Sequence, residues 1–137
     1  MSEQMIKVTA EDGNTFDAFR ATPDGEIKGG LVVLQEIFGM TDQLKNVTRS
    51  WAVDGYDTIL PAMYDRIKPN SVIAFDDMEN AQGMMKQFDP DGVVADIRAA
   101  VAAVDGGKGV SVVGFCWGGG AAMRMASTLD LTGAISY

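Results

Sequence analysis

The chain holds one cysteine and no histidine among its 137 residues, and both counts bear on the chemistry it can do. The cysteine lies in Val110-Ser111-Val112-Val113-Gly114-Phe115-Cys116-Trp117-Gly118-Gly119-Gly120, which reads as a buried strand, a glycine-lined turn and the start of a helix. Gly-x-nucleophile-x-Gly between a strand and a helix is the pattern of a nucleophile elbow. Gly114 and Gly118 would keep side chains from colliding across so sharp a bend. Cys116 would then stand exposed at the strand end, where the positive end of the helix favours an anion. Helix-start amides beside it could hold an oxyanion. A tightly packed turn with an ordinary buried cysteine is the plainer alternative, and the strand–turn–helix context argues against it. The usual general base for such a thiol is histidine, and none of these residues can supply one.

A second candidate is Gln35-Glu36-Ile37-Phe38-Gly39, which follows the apolar run Leu31-Val32-Val33-Leu34. Ligand sites in open α/β sheets lie outside the carboxyl ends of the strands. Glu36 there could face the same crevice as Cys116, and the Ile37 amide could be a second oxyanion donor. A solvated loop glutamate is an equal alternative on the residues alone. Other glycine-rich stretches fail on spacing. Gly107-Lys108 is followed by Gly109 rather than by Ser or Thr, so it is no phosphate loop, and no G-x-G-x-x-G opens the early βα unit. Asp89-Pro90-Asp91-Gly92 lacks the later ligands of a calcium loop and reads as a turn leading into a helix.

The elements that must position these groups follow from the hydrophobic pattern. Residues 6–10 and 15–20 alternate partially around Glu11-Asp12-Gly13-Asn14, a hairpin signal. Residues 30–34 and 56–60 read as strands buried on both faces, the second stopped by Pro61. Thr41-Asp42 caps a helix carrying Leu44, Val47, Trp51 and Ala52 and ending near Gly55. Residues 61–71 read as loop, 72–88 as a helix interrupted by Gly83, and 91–104 as a stronger helix. The strand 110–113, a small-residue helix over 118–129 and a further strand from Gly133 complete the order. A leading hairpin followed by alternating strands and helices predicts an α/β fold, a doubly wound and mostly parallel sheet with an antiparallel N-terminal hairpin. An unpaired apolar sheet edge is a liability, so the domain is expected to continue past residue 137, in further sequence or in a second chain.

Composition narrows the function classes. One domain is the natural expectation for this length, and a hydrophobic share of 47% is enough for a core. The formal net charge of -8 and the scattering of its 11 basic residues argue against nucleic acid as a partner. No apolar run approaches the roughly 20 residues of a membrane span, and the N-terminus lacks the order of a secretory signal. A single cysteine suits a reducing compartment, so a cytoplasmic location is expected. Zinc and copper sites favour His and Cys, so no metal is expected.

Together, Gln35-Glu36-Ile37-Phe38-Gly39 and Gly114-Phe115-Cys116-Trp117-Gly118-Gly119 resemble the dienelactone hydrolase family of α/β-hydrolases. The Trp51 helix, Asp54-Gly55-Tyr56, Pro61-x-x-Tyr64-x-Arg66 and Phe88-Asp89 add to the likeness. It covers essentially the whole chain but only about the first three-fifths of a family domain, making residues 1–137 a partial one. The resemblance implies a Cys-His-Asp triad that cleaves small esters or lactones through an acyl-enzyme, with no cofactor. In it Cys116 matches the nucleophile, Glu36 the carboxylate that contacts the resting thiol, and Ile37 and Trp117 the backbone oxyanion donors. The family's Asp and His fall beyond Tyr137. The family's lactone-binding Arg and Tyr find no match in Asp77-Met78-Glu79-Asn80-Ala81-Gln82. Arg66 is a candidate substrate-binding residue, with an ion pair to Asp65 or Asp57 as the alternative. Three expectations follow: a weakly active nucleophile half, one part of an assembly whose partner pairs with the open edge strand, or a binding relic without chemistry.

Overall fold

Alternation along the buried strands decides how the layers form. The computed structural model describes residues 1–137. Strand β1 (Ser2–Thr9) and strand β2 (Thr15–Thr22) form an antiparallel hairpin in register Thr9 to Thr15, with Gly13 at φ 90° in its turn. They are followed by β3 (Gly29–Leu34), β4 (Tyr56–Pro61), β5 (Val110–Gly114) and β6 (Gly133–Ser136). The sheet order is β1-β2-β4-β3-β5-β6, with β2 antiparallel to β4 and the β4-β3-β5-β6 pairs parallel. The predicted α/β class, mostly parallel sheet and leading hairpin are all present.

All six residues of β3 are buried, as an apolar run without polar alternation requires. Val32 and Leu34 point to one face, where they pack with Ile97 of helix α3 (Pro90–Val104) and Ala122 and Met125 of helix α4 (Trp117–Thr128). Leu31 and Val33 point to the other face, against Leu44 and Ala52 of helix α1 (Asp42–Val53). Side chains two residues apart thus share a layer. The Thr41 hydroxyl caps α1 by accepting from the Leu44 amide at 3.3 Å.

Residues 61–88 depart from expectation. Pro61 is the last residue of β4 rather than its stop, and a 3₁₀ turn, Met63–Arg66, follows. Helix α2 spans only Met78–Met85. Residues 72 and 73 are instead held by backbone pairing: Gly39 bridges Val72, and the Ile73 amide donates to the Phe38 carbonyl at 2.9 Å. The Asp77 carboxylate then caps α2 through the Asn80 amide. Gly83 lies inside this helix without interrupting it, and a Cβ there would meet nothing within 4 Å. Gly83→Ala is therefore expected to stabilise the fold by about 0.5–1 kcal/mol, read as a higher urea midpoint at unchanged slope.

No helix is long and apolar enough to cross a membrane.

Candidate active site

Strand β5 delivers the chain to Gly114, and three residues later α4 begins. Between them Cys116 adopts φ 56°, ψ -114°, a left-handed backbone conformation rare for a residue with a Cβ. The turn is as tight as its glycines suggest. A Cβ on Gly114 would fall 1.8 Å from the Gly118 carbonyl oxygen. A Cβ on Gly118 would fall 2.5 Å from the Leu34 carbonyl oxygen and 2.6 Å from that of Gln35. These two bare backbones bring the start of α4 against the carboxyl end of β3. The chain after β6 braces the bend: the Cys116 amide donates to the Tyr137 carbonyl at 2.8 Å, and the Tyr137 amide to the Gly114 carbonyl at 3.0 Å. The thiol itself is free and exposed.

The first turn of α4 leaves donors unused. Gly118 and Gly120 donate to the Phe115 and Cys116 carbonyls, whereas the Trp117 N–H has no partner. At the end of β3 the Ile37 N–H is likewise unpaired, while its carbonyl is firmly held. The Tyr64 hydroxyl donates to the Ile37 carbonyl at 2.5 Å and lies 3.4 Å from that of Ala81. Tyr64 stacks on Phe88 at 5.1 Å, and Phe88 on Trp117 at 4.4 Å, so an aromatic pile links the two donor peptides. Gln35, fully buried, accepts the Met63 amide at 3.0 Å through Oε1. Its Nε2 is a buried donor without a partner.

Burial pushes the Tyr64 hydroxyl up from its ordinary value to about 12. Between the unfolded pKa near 10 and the folded value near 12, the unfolded chain sheds this proton first. Alkali in that window therefore favours unfolding. Tyr64→Phe is expected to cost about 1–2 kcal/mol near neutral pH, by orphaning the Ile37 carbonyl, and to abolish this part of the alkaline decline. Urea melts of both proteins from pH 8 to 11 check both parts.

Cys116 opens onto a cavity of about 530 Å³ lined by ten residues, seven of them hydrophobic. Trp117, Ala121 and Met125 of α4 form one wall, and Met85, Phe88 and Val93 stand across from them. Arg124 is its single charged residue. No group of three or more His, Cys, Asp or Glu side chains is placed to hold a metal ion.

The sequence pattern of the dienelactone hydrolase family matches residues 16–137. The chain belongs to that family. It is 32% identical to the carboxymethylenebutenolidase of Pseudomonas putida over 146 aligned residues, covering 100% of this chain and 61% of that enzyme. It is 30% identical to carboxymethylenebutenolidase 1 of Cupriavidus pinatubonensis, covering 96% of this chain and 59% of the relative. The chain thus spans about three-fifths of the length of these curated relatives. Among solved structures, m3DLH superposes with a TM-score of 0.76 at 24% identity, over 93% of this chain and 54% of that one. The Pyrococcus furiosus esterase Pf2001 superposes at 0.65 and 16% identity, over 93% and 47%. Both share the α/β fold.

Within this member of the dienelactone hydrolase family, Arg66 and Glu36 stand apart from the cavity that Cys116 lines. Arg66 does not line the cavity with Cys116. Its guanidinium is committed to two carboxylates, to Asp96 at 2.7 and 3.0 Å and to Asp12 at 2.7 and 3.1 Å. These anions drive its pKa upward and hold that of Asp12 below the usual carboxylate range. Arg66 thus stands in an ion-pair cluster with Asp12 and Asp96, the ion-pair alternative but with other acids. Its partners are also not the acids expected: Asp57 binds Arg20, and Asp65 accepts the Asp17 and Asn70 amides. Glu36 is half-buried beside Ile37, with its backbone bridged to Gly39, yet its carboxylate makes no hydrogen bond to the thiol. Glu36 does not line the cavity that Cys116 lines. Sequence reasoning missed Tyr64 as the clamp on Ile37 and Arg124 as the charge in the cavity. Helical spacing from Trp117 through Gly120 and Ala121 to Arg124 was the available signal for the latter.

Proposed function

We propose that this chain carries the nucleophile and the oxyanion donors of a hydrolase of small carboxylic esters or lactones. The observation that carries this is an exposed thiol on strained backbone between β5 and α4, with an unpaired helix-start N–H at Trp117 beside it. The relatives named carboxymethylenebutenolidase support the ester and lactone class. In the reaction the Cys116 thiolate attacks the carbonyl carbon and forms an S–C bond. The oxyanion is held by the Trp117 and Ile37 amides. Collapse breaks the C–O bond, and the alkoxide leaves with the electron pair and takes a proton from water. Glu36 offers a carboxylate just past the end of β3, the strand beside β5. Water then cleaves the thioester, a step that needs a base.

With no histidine in the chain, the base and its orienting acid come from outside these residues. The outer edge of β6 pairs with no strand, and Ile135 and Tyr137 are exposed there. That edge supports a complementary segment docking beside it and delivering those groups; self-association through the same edge would bring no histidine. A single free thiol also suits a reducing compartment such as the cytoplasm.

The test is a rapid-mixing assay with p-nitrophenyl acetate. The chain alone should release a burst of about one equivalent of p-nitrophenolate and then nearly stall, since acylation outruns unassisted deacylation. Sustained turnover that survives Cys116→Ala would reject the assignment, and so would the absence of any burst.

A further inference from the structure

The sheet has two outer strands, and β1, with eight residues, is the longer; β6 has four. Strand β1 carries no proline, and its register with β2 runs from Ser2 to Thr9 without a bulge. Prolines and bulges are common devices that keep such an edge from pairing. The Ala10 amide donates to the Asn14 carbonyl at 2.8 Å, the next step of the same register. Alternation along an antiparallel ladder then turns the peptide groups of Ser2, Gln4, Ile6 and Val8 toward β2. Those of Glu3, Met5, Lys7 and Thr9 face outward, with no strand beyond them. Met5, midway between Glu3 and Lys7, leaves 51% of its surface in solvent. Glu3, Met5 and Lys7 share one face of the sheet. Within the chain Glu3 meets Arg49 and Lys7 meets Asp17, yet both side chains stay exposed.

We propose that β1 is an interaction surface for a second copy of this chain, which pairs with it antiparallel about a two-fold axis through Met5. An axis normal to the sheet keeps like faces together, so only registers centred on a residue are open to the pair. Centring on Met5 sets Glu3 opposite Lys7 of the second copy, and Lys7 opposite its Glu3. The same register sets Gln4 opposite Ile6 and Met5 against Met5. Centring on Gln4 or Ile6 loses both ion pairs, and centring on Glu3 or Lys7 opposes like charges. Cross-strand pairs of opposite charge stabilise a ladder and like charges destabilise it, so charge selects the Met5 register. The residues that meet there with opposite charge are also those whose peptide groups face outward. Each such pair exchanges both of its backbone hydrogen bonds. A lysine on an edge strand repels indiscriminate pairing, and the glutamate four residues before it makes an exception for this one partner. Strand β6 and the Cys116 cavity lie at the far end of each copy's sheet and take no part.

Sedimentation velocity of the 137-residue chain tests this at about 0.15 M salt, which screens the mutual repulsion of two chains of net charge -8. The sedimenting mass should rise from monomer toward dimer with concentration, in the range of a small interface, roughly 10 μM to 1 mM. Glu3→Lys alone, or Lys7→Glu alone, should weaken association about tenfold or more, because each opposes like charges twice. Mixed one to one, the two variants should associate again, since every facing pair then joins a lysine to a glutamate. Mixing leaves the contacts inside each chain unchanged, so recovery reports on the contact between copies. A zero-length carbodiimide serves as a second measurement that needs no variant. Applied to equal parts of unlabelled and 15N-labelled wild-type chain, it should yield a mixed-isotope amide between Glu3 and Lys7 by tandem mass spectrometry. Within one strand these residues stand about 13 Å apart, too far for a direct amide. A chain that stays monomeric throughout overturns the proposal. So does association that both variants share with the wild type, or that mixing fails to restore, or that gives cross-links only at other residues. None of these outcomes bears on the Cys116 assignment.

Discussion

Replacing Cys116 with alanine is expected to abolish the burst from activated esters, and replacing it with glycine to abolish the burst while raising stability. The first effect follows from the absence of any other thiol and of any histidine. Oxyanion donors without a nucleophile leave roughly 10³–10⁴-fold acceleration over water. The second follows from the backbone. At φ 56°, ψ -114°, a residue with a Cβ carries about 1–3 kcal/mol of strain that glycine does not feel. Glycine gives back about 0.5–1 kcal/mol through the greater freedom of the unfolded chain, so a net gain of about 1 kcal/mol remains. Alanine keeps the strain, so the pair of variants isolates it. Urea melts should place Cys116→Gly above Cys116→Ala at equal slope. Equal midpoints would mean that the bend stores no strain.

A larger and opposite effect is expected two residues earlier. Gly114→Ala puts a methyl 1.8 Å from the Gly118 carbonyl oxygen, a backbone atom fixed between β5 and α4. Relief requires α4 to move off the sheet, and α4 supplies Ala122 and Met125 to the largest core cluster. The expected cost exceeds about 4 kcal/mol, a large share of the stability of a domain this size. Gly118→Ala presses against the Leu34 and Gln35 carbonyls at 2.5 and 2.6 Å and should be nearly as severe. Gly120→Ala, in the same helix, meets nothing within 4 Å and should be neutral or mildly stabilising. Thermal or urea melts of the three variants check the order. A Gly114→Ala protein that melts like the wild type would contradict the tight-bend geometry.

Local chemistry explains what the sequence made legible. The run Val110 to Val113, the Thr41 cap and the Gly13 turn each report on their own few residues, and each lies where expected. The resemblance of the two glycine-bearing motifs placed Cys116 and Ile37 at neighbouring strand ends. What failed depended on distant partners. Residues 72 and 73 have a helical composition nearby, but Phe38 and Gly39 claim their backbone. Arg66 is bound by Asp12 and Asp96, 54 and 30 residues away in the chain, which no local pattern shows. The Cys116 backbone is held by the Tyr137 carbonyl, 21 residues on in the chain, a contact that no local pattern shows. The cavity needs α2, α3 and α4 together, so Arg124 gained meaning only once they were assembled.

The reaction proposed for this chain requires that folding itself makes the Cys116 sulfur an acyl acceptor. Acetyl transfer from p-nitrophenyl acetate should be followed in buffer and in strong urea, with acid quench, digestion and tandem mass spectrometry of the Cys116 peptide. One acetyl group on Cys116, gained faster in the folded chain than in the unfolded one, is the predicted result. Labelling at the same rate in both states, or none on the folded chain, would contradict it.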